Sequence, residues 1–165
     1  MINLELITRI KGLLQSAGDG GTAQLAVAEG RSLRITDGTA ANQANGIFID
    51  DFTIAASGSS TIDLAGSLED RLGNALVFTA VKAVLVIADA ANTNDIVIGN
   101  AAAPFVGPFD DGTATVSVAP GGQFMVTNPS AAGWAVGAGT ADELKLANSS
   151  SGTAVSGTIV IVGEV

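Results

Sequence analysis

Four pairs of neighbouring acids are the first residues in this chain whose types could do chemistry: Asp50-Asp51, Glu69-Asp70, Asp110-Asp111 and Asp142-Glu143. Clustered carboxylates can hold Ca2+ through their oxygens, and Asn92-Thr93-Asn94-Asp95 offers further oxygen ligands. No segment, however, has the calcium-loop spacing with its central glycine and closing glutamate. Adjacent residues on a strand also point to opposite faces, so a pair of neighbouring acids does not converge on one ion. These pairs read as turns and solvated edges. Two carboxylates can also hydrolyse a glycoside, but sugar sites usually add aromatic platforms, and this chain has one Trp and no Tyr.

Other chemistries are excluded by what is missing. There is no Cys and no His, so disulfides, thiolate metal sites and the Ser-His-Asp and Cys-His nucleophiles are ruled out. Gly137-Ala138-Gly139-Thr140-Ala141-Asp142 begins like a dinucleotide-binding turn and then departs from the pattern, and no glycine loop continues into the Lys-Ser or Lys-Thr of a phosphate loop. Neither a catalytic residue, a cofactor nor a metal is expected.

The charged and aromatic residues point toward contact rather than catalysis. With 7 basic and 16 acidic residues the chain carries −9, which disfavours nucleic acid and acidic membrane surfaces as partners. The basic residues form no patch in sequence. Lys82 lies inside an apolar run, where it should snorkel or meet a carboxylate. Trp134 is the lone tryptophan, suited to a core or a subunit interface. Phe105 and Phe109 bracket Pro104 and Pro108 in a loop-like stretch. They either touch a neighbouring subunit or fold back under the loop.

The elements that must position these residues are β-like. Runs at 47–54, 60–64, 81–87, 95–99, 113–119, 123–127, 134–137, 143–146 and 153–162 are rich in β-branched and alternating apolar residues. Val81 to Ile87 reads as a strand buried on both faces. Leu144 and Leu146 share one face, as do Val155, Ile159 and Ile161, with Val160 and Val162 opposite. Turn clusters recur roughly every 8–12 residues, the signature of a sandwich or barrel. Pro120-Gly121-Gly122, between two such runs, reads as a hairpin turn. Ala65 to Leu72 is expected to form one helical turn, with Leu68 and Leu72 on one face. Asn3 to Leu14 mixes both periods. Ile7, Ile10 and Leu14 fit a helix while Ile2, Leu4 and Leu6 alternate, and Gly12 tilts the balance to a strand or extended arm spanning at most residues 1–25.

Length and composition fit one domain, residues 1–165. With 21 Gly, 28 Ala, 12 Ser and 14 Thr, small side chains make up nearly half the chain. The core must therefore rest on Val, Ile, Leu and Ala. Mean hydropathy is +0.46, yet the longest strongly apolar run, Ala83 to Ala88, is far short of the ~20 residues of a spanning helix. Glu5, Arg9 and Lys11 interrupt the first apolar stretch, so no secretory signal is expected and synthesis in the cytoplasm is.

An ordered set of segments adds a likeness. It runs from Leu33-Arg34-Ile35-Thr36-Asp37-Gly38-Thr39 through Thr61-Ile62-Asp63-Leu64-Ala65-Gly66-Ser67-Leu68 and Phe78-Thr79-Ala80-Val81-Lys82 to Pro120-Gly121-Gly122, Trp134 and Glu143-Leu144-Lys145-Leu146-Ala147-Asn148. The set resembles small virion structural proteins of tailed bacteriophages, of the capsid decoration or cement type. The likeness covers most of the chain and is weakest before about Leu25. It implies a jelly-roll β-sandwich of roughly 8–10 short antiparallel strands. It further implies homotrimers on the outer surface of the phage head, made in the host bacterial cytoplasm. There they would clamp neighbouring copies of the major capsid protein at three-fold positions. No reactive residue belongs to that role and none is carried over. Partner or oligomer contact is expected instead at Ile2, Leu4 and Leu6 of the arm and at Phe105, Phe109 and Trp134. A head fibre base, a tail component or a host-recognition or glycan-binding module on the same fold remains the alternative.

Overall fold

The computed structural model describes residues 1–19 and 21–165, and among them there is no helix. The chain opens with two long strands, β1 (Asn3–Gly18) and β2 (Gly21–Asp37), followed by the short β3 (Gln43–Ala44). Then come β4 (Gly46–Ile54), β5 (Ser59–Asp63), β6 (Leu68–Glu69), β7 (Ala75–Leu76), β8 (Ala80–Ala88) and β9 (Ile96–Gly99). β10 (Thr115–Val118), β11 (Gln123–Thr127), β12 (Trp134–Ala135), β13 (Glu143–Asn148) and β14 (Val155–Glu164) complete it.

Two antiparallel sheets form a β-sandwich. One has the order β11-β8-β14-β4, with β12 also paired to β8, and the other the order β10-β9-β13-β5. Strand alternation explains the packing. Val84, Val86, Ile159 and Ile161 point inward from the first sheet and meet Ile96, Ile98, Leu144 and Leu146 from the second. All eight are buried, each contributing about 1.5–3 kcal/mol relative to an exposed position. Phe78 and Phe105 fill the same core. Leu144 with Leu146, and Val155 with Ile159 and Ile161, share the faces that their alternation specifies.

Three local expectations are corrected. Pro120-Gly121-Gly122 does form a tight turn: Gly122 N donates to Ala119 O at 2.8 Å, and Gly121 has φ 72°, the left-handed value that suits glycine after proline. It joins no hairpin, because β10 pairs β9 while β11 pairs β8. Gly122 O accepts from Ala88 N and Asp89 O from Gly121 N, so the turn is docked on the end of β8 and carries the chain to the other sheet. Ala65 to Leu72 is not helical, and Leu68 instead pairs with Leu76 in the two-residue ladder β6·β7. Asp63 and Asp70 turn their carboxylates onto the backbone amides of Ala65, Leu72 and Asn74, and these local bonds compete with a helix. Finally, Val81 to Ile87 is buried on both faces only in its first half, and Ile87 is 39% exposed.

A β-bulge explains that first half. The β14·β8 register slips between Val162, opposite Ala83, and Gly163, opposite Val81. Lys82 is the residue left without an opposite number. Both Val81 and Val84 therefore reach the central core, while Lys82, 1% exposed, points its ammonium to the carbonyls of Ser130 (2.7 Å) and Ala131 (2.5 Å). Glu164 Oε1 stands 2.8 Å from it and makes no directional hydrogen bond, so this contact is an ion pair. Gly163 permits the slip, since a Cβ there would run into the carbonyl oxygen of Ala80.

The outer face of the first sheet carries a second, smaller core. Leu33 and Ile35 of β2, with Leu4 and Leu6 of β1 at their margin, pack on Ala83 and Val162, flanked by Ile47 and Val160. The root of the β1·β2 hairpin is thus a third layer on the sandwich.

Candidate functional site

Beyond its root, the β1·β2 hairpin leaves the body. Its ladder is unbroken from Asn3 opposite Thr36 to Gly18 opposite Gly21. Among the described residues the root packs on the sandwich, and Thr8 Oγ1 donates to Met125 Sδ (3.9 Å) near its outer limit. From Arg9 opposite Gly30 outward, ten residue pairs project, a ribbon about 30 Å long.

Alternation assigns the two faces of this ribbon. The face that seats Leu4, Leu6, Leu33 and Ile35 on the body continues outward as Ile10, Leu14 opposite Leu25, and Val27 opposite Gly12. Ile10 is 70% exposed, Leu14 64% and Leu25 62%. The other face carries Ile7, Arg9, Lys11 and Leu13. Both long edges of the projecting ribbon are unpaired among the described residues. Exposed apolar ladders with free edges are ready templates for another chain.

The charge of the molecule divides at the same place. Residues 1–37 set Arg9, Lys11, Arg31 and Arg34 against Glu5, Asp19, Glu29 and Asp37, so the hairpin is neutral and the entire −9 lies on residues 38–165. The root is held by more than apolar contact. Ile2 N donates to Asp37 Oδ1 (3.0 Å), Arg34 Nε to Asn3 Oδ1 (3.2 Å) and Ser32 Oγ to Glu5 Oε1 (2.6 Å). Thr36 N donates to Asn42 O, and Asn42 N in turn to Pro129 O (2.8 Å), at the start of the loop that Lys82 pins from below. A cleft of about 280 Å3 opens beside the root, between Leu6 and Ile7 on one side and Leu85, Met125 and Val160 on the other.

The six residues expected to make contacts fall into two groups. Ile2, Leu4 and Leu6 stand together on the hairpin root, where Leu4 and Leu6 cover this chain's own sheet. Phe105, Phe109 and Trp134 all pack on the central core. Phe105 is 2% exposed, folded under its loop and closed to a neighbour. Phe109 stacks on Phe124 with centroids 6.2 Å apart and planes at 12°. Trp134, on β12 opposite Val81, is half-buried, and Gly107 lies against its ring. The ribbon's outer residues, Ile10 and Leu14 of β1 with Leu25 and Val27 of β2, are the ones a partner would meet, and β2 is a strand that the sequence reading does not mark. Its signal was present in the sequence: Asp19-Gly20 between two apolar runs is a hairpin pattern.

The carboxylates hold turns. Asp70 accepts from Asn74 Nδ2 (2.9 Å), Asn74 N and Leu72 N, which together hold it below the ordinary aspartate value of 3.8, the Asn74 side chain contributing most. Asp111 is lowered likewise, chiefly by the Thr113 hydroxyl and amide. Asp51 pairs with Arg71 (3.0 Å) and accepts from Thr158, while Glu143 accepts from the amides of Ala102 and Ala103. Among the described residues no three carboxylates gather closely enough to hold a metal ion, and no helix is long and apolar enough to cross a membrane. Compared with protein-family models, with curated proteins and with solved structures, the chain matches none of them.

Proposed function

We propose that this chain is a non-enzymatic structural protein of a tailed-phage virion, a capsid decoration or cement protein. In this reading a trimer sits on the outside of the head and clamps neighbouring copies of the major capsid protein at three-fold positions. The observation that carries it is the projecting hairpin, a partly apolar ribbon whose long edges are unpaired among the described residues, mounted on the sandwich. Such a ribbon is built to pair with another chain through backbone and alternate side chains. The strand orders β4-β14-β8-β11 and β5-β13-β9-β10 support a jelly roll, the fold that the sequence likeness implies. Three linked contacts per trimer would bind far more tightly than one, and short-looped sheets lose little entropy on docking.

The test is the copy number of this chain relative to the major capsid protein in purified particles, by quantitative mass spectrometry. A ratio near one to one is expected. A ratio of a few per hundred would move the protein to a vertex, fibre or tail, and absence from particles would end the virion reading. Shortening the ribbon between Arg9 and Gly30 should abolish particle binding and leave the sandwich folded.

A further inference from the structure

We propose that the distal half of the hairpin docks on the uncovered part of the outer sheet face of a second copy of this chain. The proposal names a partner within the assembly reading above, but it rests on the geometry of the purified protein alone. Its first support is continuity with a contact the molecule already makes. At the root, the pairs Leu4/Ile35 and Leu6/Leu33 lie on Ala83 and Val162. Further out on the same ribbon face, past Thr8/Arg31, Ile10 opposite Glu29, Val27 opposite Gly12 and the pair Leu14/Leu25 again present apolar side chains, of which Ile10, Leu14 and Leu25 are exposed. What recognises the root should recognise the tip.

The receptor is the rest of the same sheet face. Past the root, Leu85 of β8, Met125 of β11 and Val160 of β14 border the 280 Å3 cleft, and beyond it β8 presents Ile87, 39% exposed. A paired ribbon of ten residue pairs is too stiff to fold back onto its own root, so the tip of one copy cannot fill the face of that same copy. Its length, about 30 Å, is the width of a small domain and reaches a neighbour's face.

Charge selects this arrangement over body against body. Two bodies at −9 each repel, whereas the projecting ribbon is neutral, with Arg9 and Lys11 against Asp19 and Glu29. Asp89 borders the far end of the receptor sheet, beside Thr158 and the Asp51 that Arg71 already pairs. A tip-to-face contact is heterologous, and three such contacts close a ring if the rotation between copies is three-fold.

The absence of cysteine makes the test clean. Two single variants are prepared, Leu25→Cys on the ribbon and Ile87→Cys on the sheet, both at exposed positions, with Gln123→Cys as a second receptor variant at the cleft. Mixed and mildly oxidised, the ribbon and sheet variants should give a disulfide-linked heterodimer that neither variant gives alone. In sedimentation the native chain should run as an oligomer, and Leu14→Asp/Leu25→Asp should shift it to monomer with its β spectrum unchanged. A monomeric native chain overturns the proposal. So does an oligomer in which neither receptor position cross-links, and so does efficient linkage of Leu25→Cys to itself, which would mean that ribbons bundle with one another. Cross-linking in purified protein combined with absence from particles would sink the virion reading and leave this inference standing.

Discussion

The hairpin and the sandwich are made of the same residue types and treat them in opposite ways. In the body, Ile96, Ile98, Ile159 and Ile161 are fully buried between two sheets. On the ribbon, Ile10 and Leu14 are 70% and 64% exposed although their backbone pairing is just as regular. A ladder of hydrogen bonds therefore does not by itself make a buried strand. Burial comes from a second layer, and the projecting ribbon lacks one. An isolated two-stranded hairpin is marginal in water, so the order of the ribbon depends on its root and on whatever covers its tip.

Five substitutions would break or sharpen that contrast. The largest effect is expected in the body at the bulge: Lys82→Met leaves Glu164 and the Ser130 and Ala131 carbonyls without their cation. It should lower the unfolding free energy by about 3 kcal/mol in urea titration. Adding Glu164→Gln should recover part of the loss. At the boundary, Leu33→Ala should cost about 2 kcal/mol and, more tellingly, should speed amide exchange along β1 and β2 while β8 and β14 stay protected. On the ribbon tip, Leu14→Ser should change the stability of the isolated monomer by less than about 0.5 kcal/mol. A larger loss would mean that the tip is already covered within its own chain. The smallest effect concerns Asp70. Because its folded value lies below 3.8, its contribution to the β6·β7 turn is present above that pH and is lost as pH falls through the folded value. Asp70→Asn should flatten the acid limb of the unfolding profile below pH 3.8 and leave the neutral region unchanged.

Where two-residue alternation met a full core, the strands could be read directly. The runs at 47–54, 81–87, 123–127 and 143–146 fall on β4, β8, β11 and β13, because one face of each had to be apolar. β2 escaped for the converse reason. Gln24, Ala26, Ala28, Gly30 and Ser32 on its outer half satisfy no core, so the stretch lacks the contrast that marks a half-buried strand. The Pro120-Gly121 turn was legible and its consequence was not, since a turn fixes where the chain reverses and leaves open which strand it next pairs with. Lys82 was expected to meet a carboxylate or snorkel, and it meets Glu164. The register slip that exposes it to the 128–133 loop depends on Gly163 eighty residues away, a long-range coincidence that local pattern does not carry. Of the contact residues, Leu4 and Leu6 were found through their alternation, while Ile10 and Leu14 were noticed only as an apparent helical stripe.

The connection between ribbon and body also sets how the molecule bears a pull. β2 runs through β3 into β4 along the covalent chain, and β4 is an edge strand bonded to β14 through nine consecutive pairs from Val155–Ile54 to Gly163–Gly46. Tension applied at the tip thus enters the body at the Gly46 end of that ladder, and a partner pulling along β4 would load it lengthwise. Loaded in this direction the bonds must slide together, as in a shear joint, and do not open one after another like a zipper. A load hung on the ribbon would then strain the body in the direction in which a β-ladder yields last.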